Sequence, residues 1–125
     1  MDAPARRAIA RRAGTTRWIR ARFGASSFEE LGLPGGALVD TGLADLAAGA
    51  STVESLAVSL AAPRLRREGV PLGAVEHDPE DRLYELLSRR AADLAHARYG
   101  AYLRQLASFA DACRVARVAG KRRAS

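Results

Sequence analysis

Apolar residues recur along this chain every three to four positions, in runs separated by short stretches of glycine and proline. That spacing places them on one face of an α-helix. No stretch shows the apolar–polar alternation of a half-buried strand, and no internal repeat of useful length appears. The pattern predicts an all-α protein.

The longest helical pattern opens at Asp78-Pro79-Glu80-Asp81. A capping residue, a proline at the first helical position and two acids suited to the helix dipole stand there in order. No proline follows, and Gly100 is the only glycine before Gly120. Residues 79–118 therefore read as one long C-terminal helix, or two in close succession, with a bend expected near Gly100. Steps of about 100° put Leu83, Leu87, Ala91, Leu94, Ala97 and Ala101 on one face. Tyr102, Leu106, Phe109, Ala110 and Cys113 form a second, rotated face.

Shorter helices are expected to pack against this one. Asp2 and Pro4 open a helix reaching about Ala13, and Gly14-Thr15-Thr16 separates it from a piece over 17–23. Ser27-Phe28-Glu29-Glu30 has the capping-box form S-x-x-E and predicts a short helix closed by Gly32 and Pro34-Gly35-Gly36. A helix from Asp40 or Thr41 to Ala48 stops at Gly49. Ser51-Thr52-Val53-Glu54 is a second box, opening a helix that Pro63 ends or kinks, with a further turn to Gly69. Residues 70–77, with Pro71 and Gly73, read as an extended connector. The organisation expected is a basic, mobile arm over 1–16, one helical domain over 17–119 and a basic tail over 120–125.

The length of 125 residues suits one domain with an ordinary core. Much of the 48% hydrophobic content is alanine, and there are only seven aromatics, so close helix–helix contacts are expected. The single cysteine, Cys113, lies on an apolar stripe and reads as a buried structural thiol. It excludes an intramolecular disulfide, and no His/Cys set has metal-ligand spacing, so neither metal nor cofactor is expected. Apolar runs are short of a membrane span, and the N-terminus lacks the apolar segment of a secretory signal. The expected location is the cytoplasm, with no membrane partner.

Nineteen of the twenty basic residues are arginine. With abundant alanine and glycine, this is the product of a GC-rich coding sequence, and a high-GC bacterial source is expected. The charge is unevenly placed. Residues 1–24 carry a net +6 and residues 114–125 a net +5, whereas 25–113 carry −5. Two basic ends flank an acidic body, a distribution that serves nucleic-acid contact, folding of the ends onto the body, or pairing with another copy.

The stretch RRAADLAHARY, residues 89–99, holds one of the two histidines. On a continuous helix Arg89, Asp93 and His96 share a polar stripe at i, i+4 and i+7, with Tyr99 one turn beyond. The plain reading is a solvated face with an Arg89–Asp93 pair. These residues also resemble the motif of the HEPN family, small all-α proteins of which many are metal-independent ribonucleases. In that motif four to six residues separate an arginine from a following histidine; six separate Arg89, and five Arg90, from His96. Ala91 replaces the polar residue usual after the motif arginine, and Tyr99 follows His96 by three residues where a toxin branch has two. The resemblance implies cleavage through the RNA 2′-hydroxyl in a dimer. His96 would move the proton and the arginine would steady the phosphorane charge.

The N-terminal RRAIARRAGTTRWIRARF interleaves arginines with Trp18, Ile19 and Phe23. It reads either as a phosphate grip with a stacking aromatic or as an amphipathic helix that buries the aromatics. The nucleic-acid-binding candidates are Arg6, Arg7, Arg11, Arg12, Arg17, Arg20, Arg122 and Arg123. Residues 43–60 resemble a helix-turn-helix with Gly49 in the turn, although the second helix has no arginine with which to read bases. The expectation drawn from these features is non-enzymatic binding to a protein partner or to a second copy, as adaptor or regulatory subunit. The alternatives are a HEPN-like ribonuclease and an RNA or DNA binder acting through the basic termini.

Overall fold

The computed structural model describes residues 15–124, with side chains through residue 117. The helix expected over 2–13, with Arg6, Arg7, Arg11 and Arg12, lies outside the described residues. Among those described, the chain is all-α and has no strand. Five helices follow in order: α1 (15–23), α2 (Gly36–Ala48), α3 (Val53–Arg67), α4 (Pro79–Arg90) and α5 (Ala95–Ala124). A single 3₁₀ turn, Ala92–Leu94, joins the last two. α5 is the long C-terminal helix, and its backbone runs on through the basic residues 121–123.

The central helix is α3, which touches α2, α4 and α5. Val53, Leu56, Ala57, Val58, Ala62 and Leu65 bury its length. From the C-terminal helix, the predicted second face enters the core, with Leu106, Phe109, Ala110 and Cys113 all buried. Phe109 meets Phe28 edge-on at 4.8 Å. Trp18 packs edge-on against both Phe23 and Phe28, at 5.7 and 6.2 Å.

Several local expectations are corrected. Ser27 does accept from the Glu30 amide at 3.1 Å, but no helix follows. The Glu30 carboxylate turns instead to Ser26, whose amide (2.9 Å) and hydroxyl both donate to it, and these bonds hold its pKa below the ordinary value. The amides of Phe28 and Glu29 donate to the two oxygens of Asp40, at 3.0 and 2.9 Å. A carboxylate from α2 thus caps the turn across eleven or twelve residues. α2 begins four residues before Asp40, at Gly36, behind a left-handed Gly35. It closes at Gly49 with a Schellman pair, in which Gly49 donates to Leu46 and Ala50 to Asp45.

The second capping box is shifted by one residue. Thr52, not Ser51, is the N-cap, and Ser55 rather than Glu54 returns the bond. Pro63 does not end α3: the proline itself is exposed, and the helix runs on to Arg67 with Leu65 fully buried beyond it. Asp78 occupies the cap position of α4 with φ 46°, yet its side chain makes no capping bond. The connector over 70–76 has no regular structure, as expected.

The interruption within 79–118 falls at Ala91, not at Gly100. Ala91 is extended (φ −161°, ψ 90°), while Gly100 lies inside α5. The chain folds back there, so that the rings of Tyr84 and Tyr99 meet 5.7 Å apart. Leu83 and Leu87 are buried as predicted, but beyond the break the register changes. Ala95 is buried, and Leu94 and Ala97 are exposed.

Candidate functional site

The break at Ala91 takes apart the polar stripe of RRAADLAHARY. Arg89 pairs backwards with Glu85 at 2.5 Å instead of forwards with Asp93. Arg90, Asp93 and His96 are exposed, and His96 forms no hydrogen bond or ion pair among the described residues. Tyr99 is half-buried beneath Tyr84, and burial, then the carboxylates of Glu80 and Asp81, push its phenol pKa up. Cavities of about 130 and 30 Å³ open elsewhere among the described residues. The larger is lined chiefly by α1, by Ser26 and Ser27, and by Asp40 and Leu43. The smaller lies between α2 and the connector. None of Arg89, Arg90, Asp93, His96 or Tyr99 lines either one. No group of three or more His, Cys, Asp or Glu able to hold a metal exists among the described residues.

The chain turns by 99° between α2 and α3, which matches helix-turn-helix geometry. α3, however, is buried along most of its length, and its exposed side chains, Pro63, Arg66 and Arg67, lie in its last turns rather than at the start where a recognition helix reads bases. Among the described residues no single helix is long and apolar enough to cross a membrane. Cys113 is buried, and desolvation followed by the nearby Glu68 carboxylate raises its thiol pKa to about 12. At His77, Nε2 lies 3.2 Å from Asp78, both exposed.

Charge, by contrast, is organised along α3. At its N-terminal end Ser51 donates to Glu76 at 3.0 Å and accepts from Arg82 at 2.8 Å. These bonds tie Glu76 and Arg82 to that end, and Glu80 and Asp81 stand beside Arg82 in the first turn of α4. About 22 Å away, given the rise per residue, α3 finishes in Arg64, Arg66 and Arg67. Two other elements arrive at the same point. Trp18 of α1 lies beside Gly69, where an added Cβ would stand 3.7 Å from its ring. Arg117 of α5 pairs with Glu68, the residue closing α3, at 3.2 Å. Arg64 pairs with Asp111, also of α5. The first and last basic segments therefore meet at two adjacent residues, Glu68 and Gly69.

Part of this charge serves the helix ends. Arg64 and Arg66 sit in the last turn of α3, where cations favour the dipole, and both guanidiniums are engaged, with Asp111 and with the Gly73 carbonyl. Most of the remainder is uncommitted. Arg17, Arg22, Arg67 and Arg114 are exposed and form no ion pair among the described residues, whereas Arg20, also exposed, acts on the Glu30 carboxylate. Of these, Arg22 lies one turn beyond Trp18 on the same side of α1. Arg22, Arg67 and Arg114 come from three helices and were not read as a group in the sequence, because only the fold brings them to one end. Of the predicted binders, Arg17 and Arg20 are exposed on α1, while Arg122 and Arg123 are known here only by their helical backbone in α5. No protein-family model matches the chain, and neither does any curated protein or solved structure.

Proposed function

We propose that the protein binds the phosphate backbone of nucleic acid, without catalysing a reaction, through the basic end formed by α1, the last turn of α3 and the C-terminal half of α5. The observation that carries this reading is the meeting of Trp18 with Gly69 and of Arg117 with Glu68. It gathers two basic segments, remote in sequence, at an end where Arg64 and Arg117 are paired with Asp111 and Glu68 while Arg22, Arg67 and Arg114 form no ion pair among the described residues. A GC-rich composition accounts for the number of arginines but not for their separation from the acids along α3. Phosphate contact is one use of such a predominantly basic surface.

Two observations weigh against the other expectations. A docking face for a protein partner calls for pooled apolar area. Among the described residues the exposed large apolar side chains are Tyr84, Leu94 and Val115, and the last two stand 21 residues apart along the α5 direction, about 31 Å. Cleavage by the HEPN chemistry calls for an arginine beside His96; Arg89 is tied to Glu85, and the break at Ala91 puts both Arg89 and Arg90 on a different helix from His96.

The test is titration of the full chain into labelled RNA and DNA oligonucleotides at low and moderate salt, with chain length read in parallel. Binding without cleavage is expected, with an affinity that falls steeply as salt rises. Arg67→Glu with Arg114→Glu should weaken binding about tenfold or more and flatten the salt dependence by about two phosphate contacts. Absence of binding at low salt would overturn the proposal in favour of a protein partner. Cleavage lost in His96→Ala would overturn it in favour of the enzyme.

A further inference from the structure

We infer that the preferred ligand of this basic end is double-stranded DNA, bound through its backbone without regard to sequence; the inference rests on the phosphate-binding reading above. Three observations carry it. The first concerns stacking. Proteins that hold single strands place exposed aromatic rings beside their cations. The aromatics at the basic end, Trp18 and Phe23, are half-buried and packed edge-on against each other, and Trp18 leans on the fully buried Phe28. The one exposed ring, Tyr84, is in α4, in the turn after Glu80 and Asp81, at the acidic end. Unpaired bases would find carbon already committed to the core.

The second observation is the length of α5. Arg117 reaches Glu68 at the level where α3 closes, and α5 continues for seven residues to Ala124, about 10 Å further. That stretch contains Lys121, Arg122 and Arg123 and no acid. A helix about 10–12 Å across matches the width of the B-DNA major groove, whereas the major groove of an RNA duplex is deep and narrow. The arrangement fits a DNA duplex better than an RNA one.

The third observation is what the chain lacks. Adenine edges are read in pairs of hydrogen bonds by Asn or Gln. The sequence contains no asparagine and a single glutamine, Gln105. The backbone carbonyl of Gln105 lies against Gly35, far along α5 from residue 117. The basic end, built of arginines and Lys121, thus offers no paired amide contact to adenine, and guanine is the one base edge its cations pair with well, so most contacts fall on the backbone and the choice of sequence is narrow.

The experiment is a fluorescence-anisotropy comparison, using the full chain, of two unrelated DNA duplexes, one of their single strands and an RNA duplex. The DNA duplexes should bind about tenfold more tightly than the single strand and the RNA duplex, and within about threefold of each other. Replacing Lys121, Arg122 and Arg123 together by glutamine should lower duplex affinity and reduce the salt slope by up to about three contacts, with an unchanged melting temperature. Single-strand or RNA affinity equal to or above that of duplex DNA overturns the inference while leaving the phosphate-binding reading intact. So does a preference above about tenfold for one duplex sequence. Failure to bind any of the four probes overturns the reading beneath it.

Discussion

Gly42 of α2 lies directly against Val58 of α3. A Cβ added at Gly42 would overlap a Val58 methyl and would stand 2.6 Å from the backbone carbonyl oxygen of Glu54. The close approach of these two helices, at the 99° turn between them, depends on this missing side chain. Gly42→Ala is therefore expected to destabilise the fold by about 1–3 kcal/mol, despite alanine's better helix propensity. Val58→Ala should restore only part of the loss, because the Glu54 carbonyl belongs to the backbone and cannot turn aside. Denaturant unfolding of the two single variants and the double variant measures this, and full restoration would place the crowding on the Val58 side chain alone.

The pair that joins α5 to the end of α3 is asymmetric. Glu68 is 9% exposed and Arg117 30%, and the Arg117 Nε is buried without a partner of its own. Arg117→Leu leaves a buried carboxylate uncompensated and should cost about 1–3 kcal/mol, whereas Glu68→Gln, which keeps an acceptor, should cost less. Both changes bear on the basic end, so their nucleic-acid affinities are meaningful only where melting curves show a folded protein.

The sequence exposes the broad architecture because helix periodicity is a local property. The all-α class, the long C-terminal helix, the connector over 70–76 and the buried stripe from Leu106 to Cys113 are all legible in it. The failures share a cause, which is that a distant residue decides a local choice. Asp40 caps the 28–29 turn from another helix, so the box at Ser27 starts nothing. Asp45 accepts from the Thr52 hydroxyl at 2.7 Å, which favours Thr52 over Ser51 as the cap. Ala91 breaks a run of good helix formers with no glycine or proline to mark it, because turning back there brings Tyr99 onto Tyr84 and Ala95 into the core. The candidate site was half legible. The basic ends are plain in the charge count, but their meeting at Glu68 and Gly69 is a matter of topology.

His96 supplies a prediction of small effect. It is exposed and unpaired among the described residues, and α5 carries it on the outside of the α4–α5 turn. His96→Ala should change stability by less than about 0.5 kcal/mol, as for a surface position away from any special feature. Asp93→Ala should behave likewise, since the Arg89 guanidinium is held by Glu85. A loss much larger than this in urea unfolding would reveal a structural role that the geometry does not contain.

Cys113 links burial to pH. Its thiol is raised from an ordinary 9.0 to about 12, first by desolvation and then by the Glu68 carboxylate. Below about pH 8 the thiol is largely protonated in both folded and unfolded chains and contributes little pH dependence. Between about 9 and 12 the unfolded chain releases the proton while the folded chain keeps it, so the folded state binds more protons and stability falls as pH rises. The slope from this one group is at most about 1.4 kcal/mol per pH unit. Cys113→Ala removes the term, at the cost of a small cavity that is the same at every pH. The stability advantage of the wild type over the variant should therefore shrink between about pH 8 and about pH 10.5, as read by urea unfolding of both proteins. An advantage that stays constant would mean that the thiol ionises without opening the core. Alkylation gives a second readout, because the thiolate is the reactive form. Iodoacetamide should label Cys113 slowly in the native protein at about pH 8 and rapidly once α3 and α5 are parted by denaturant.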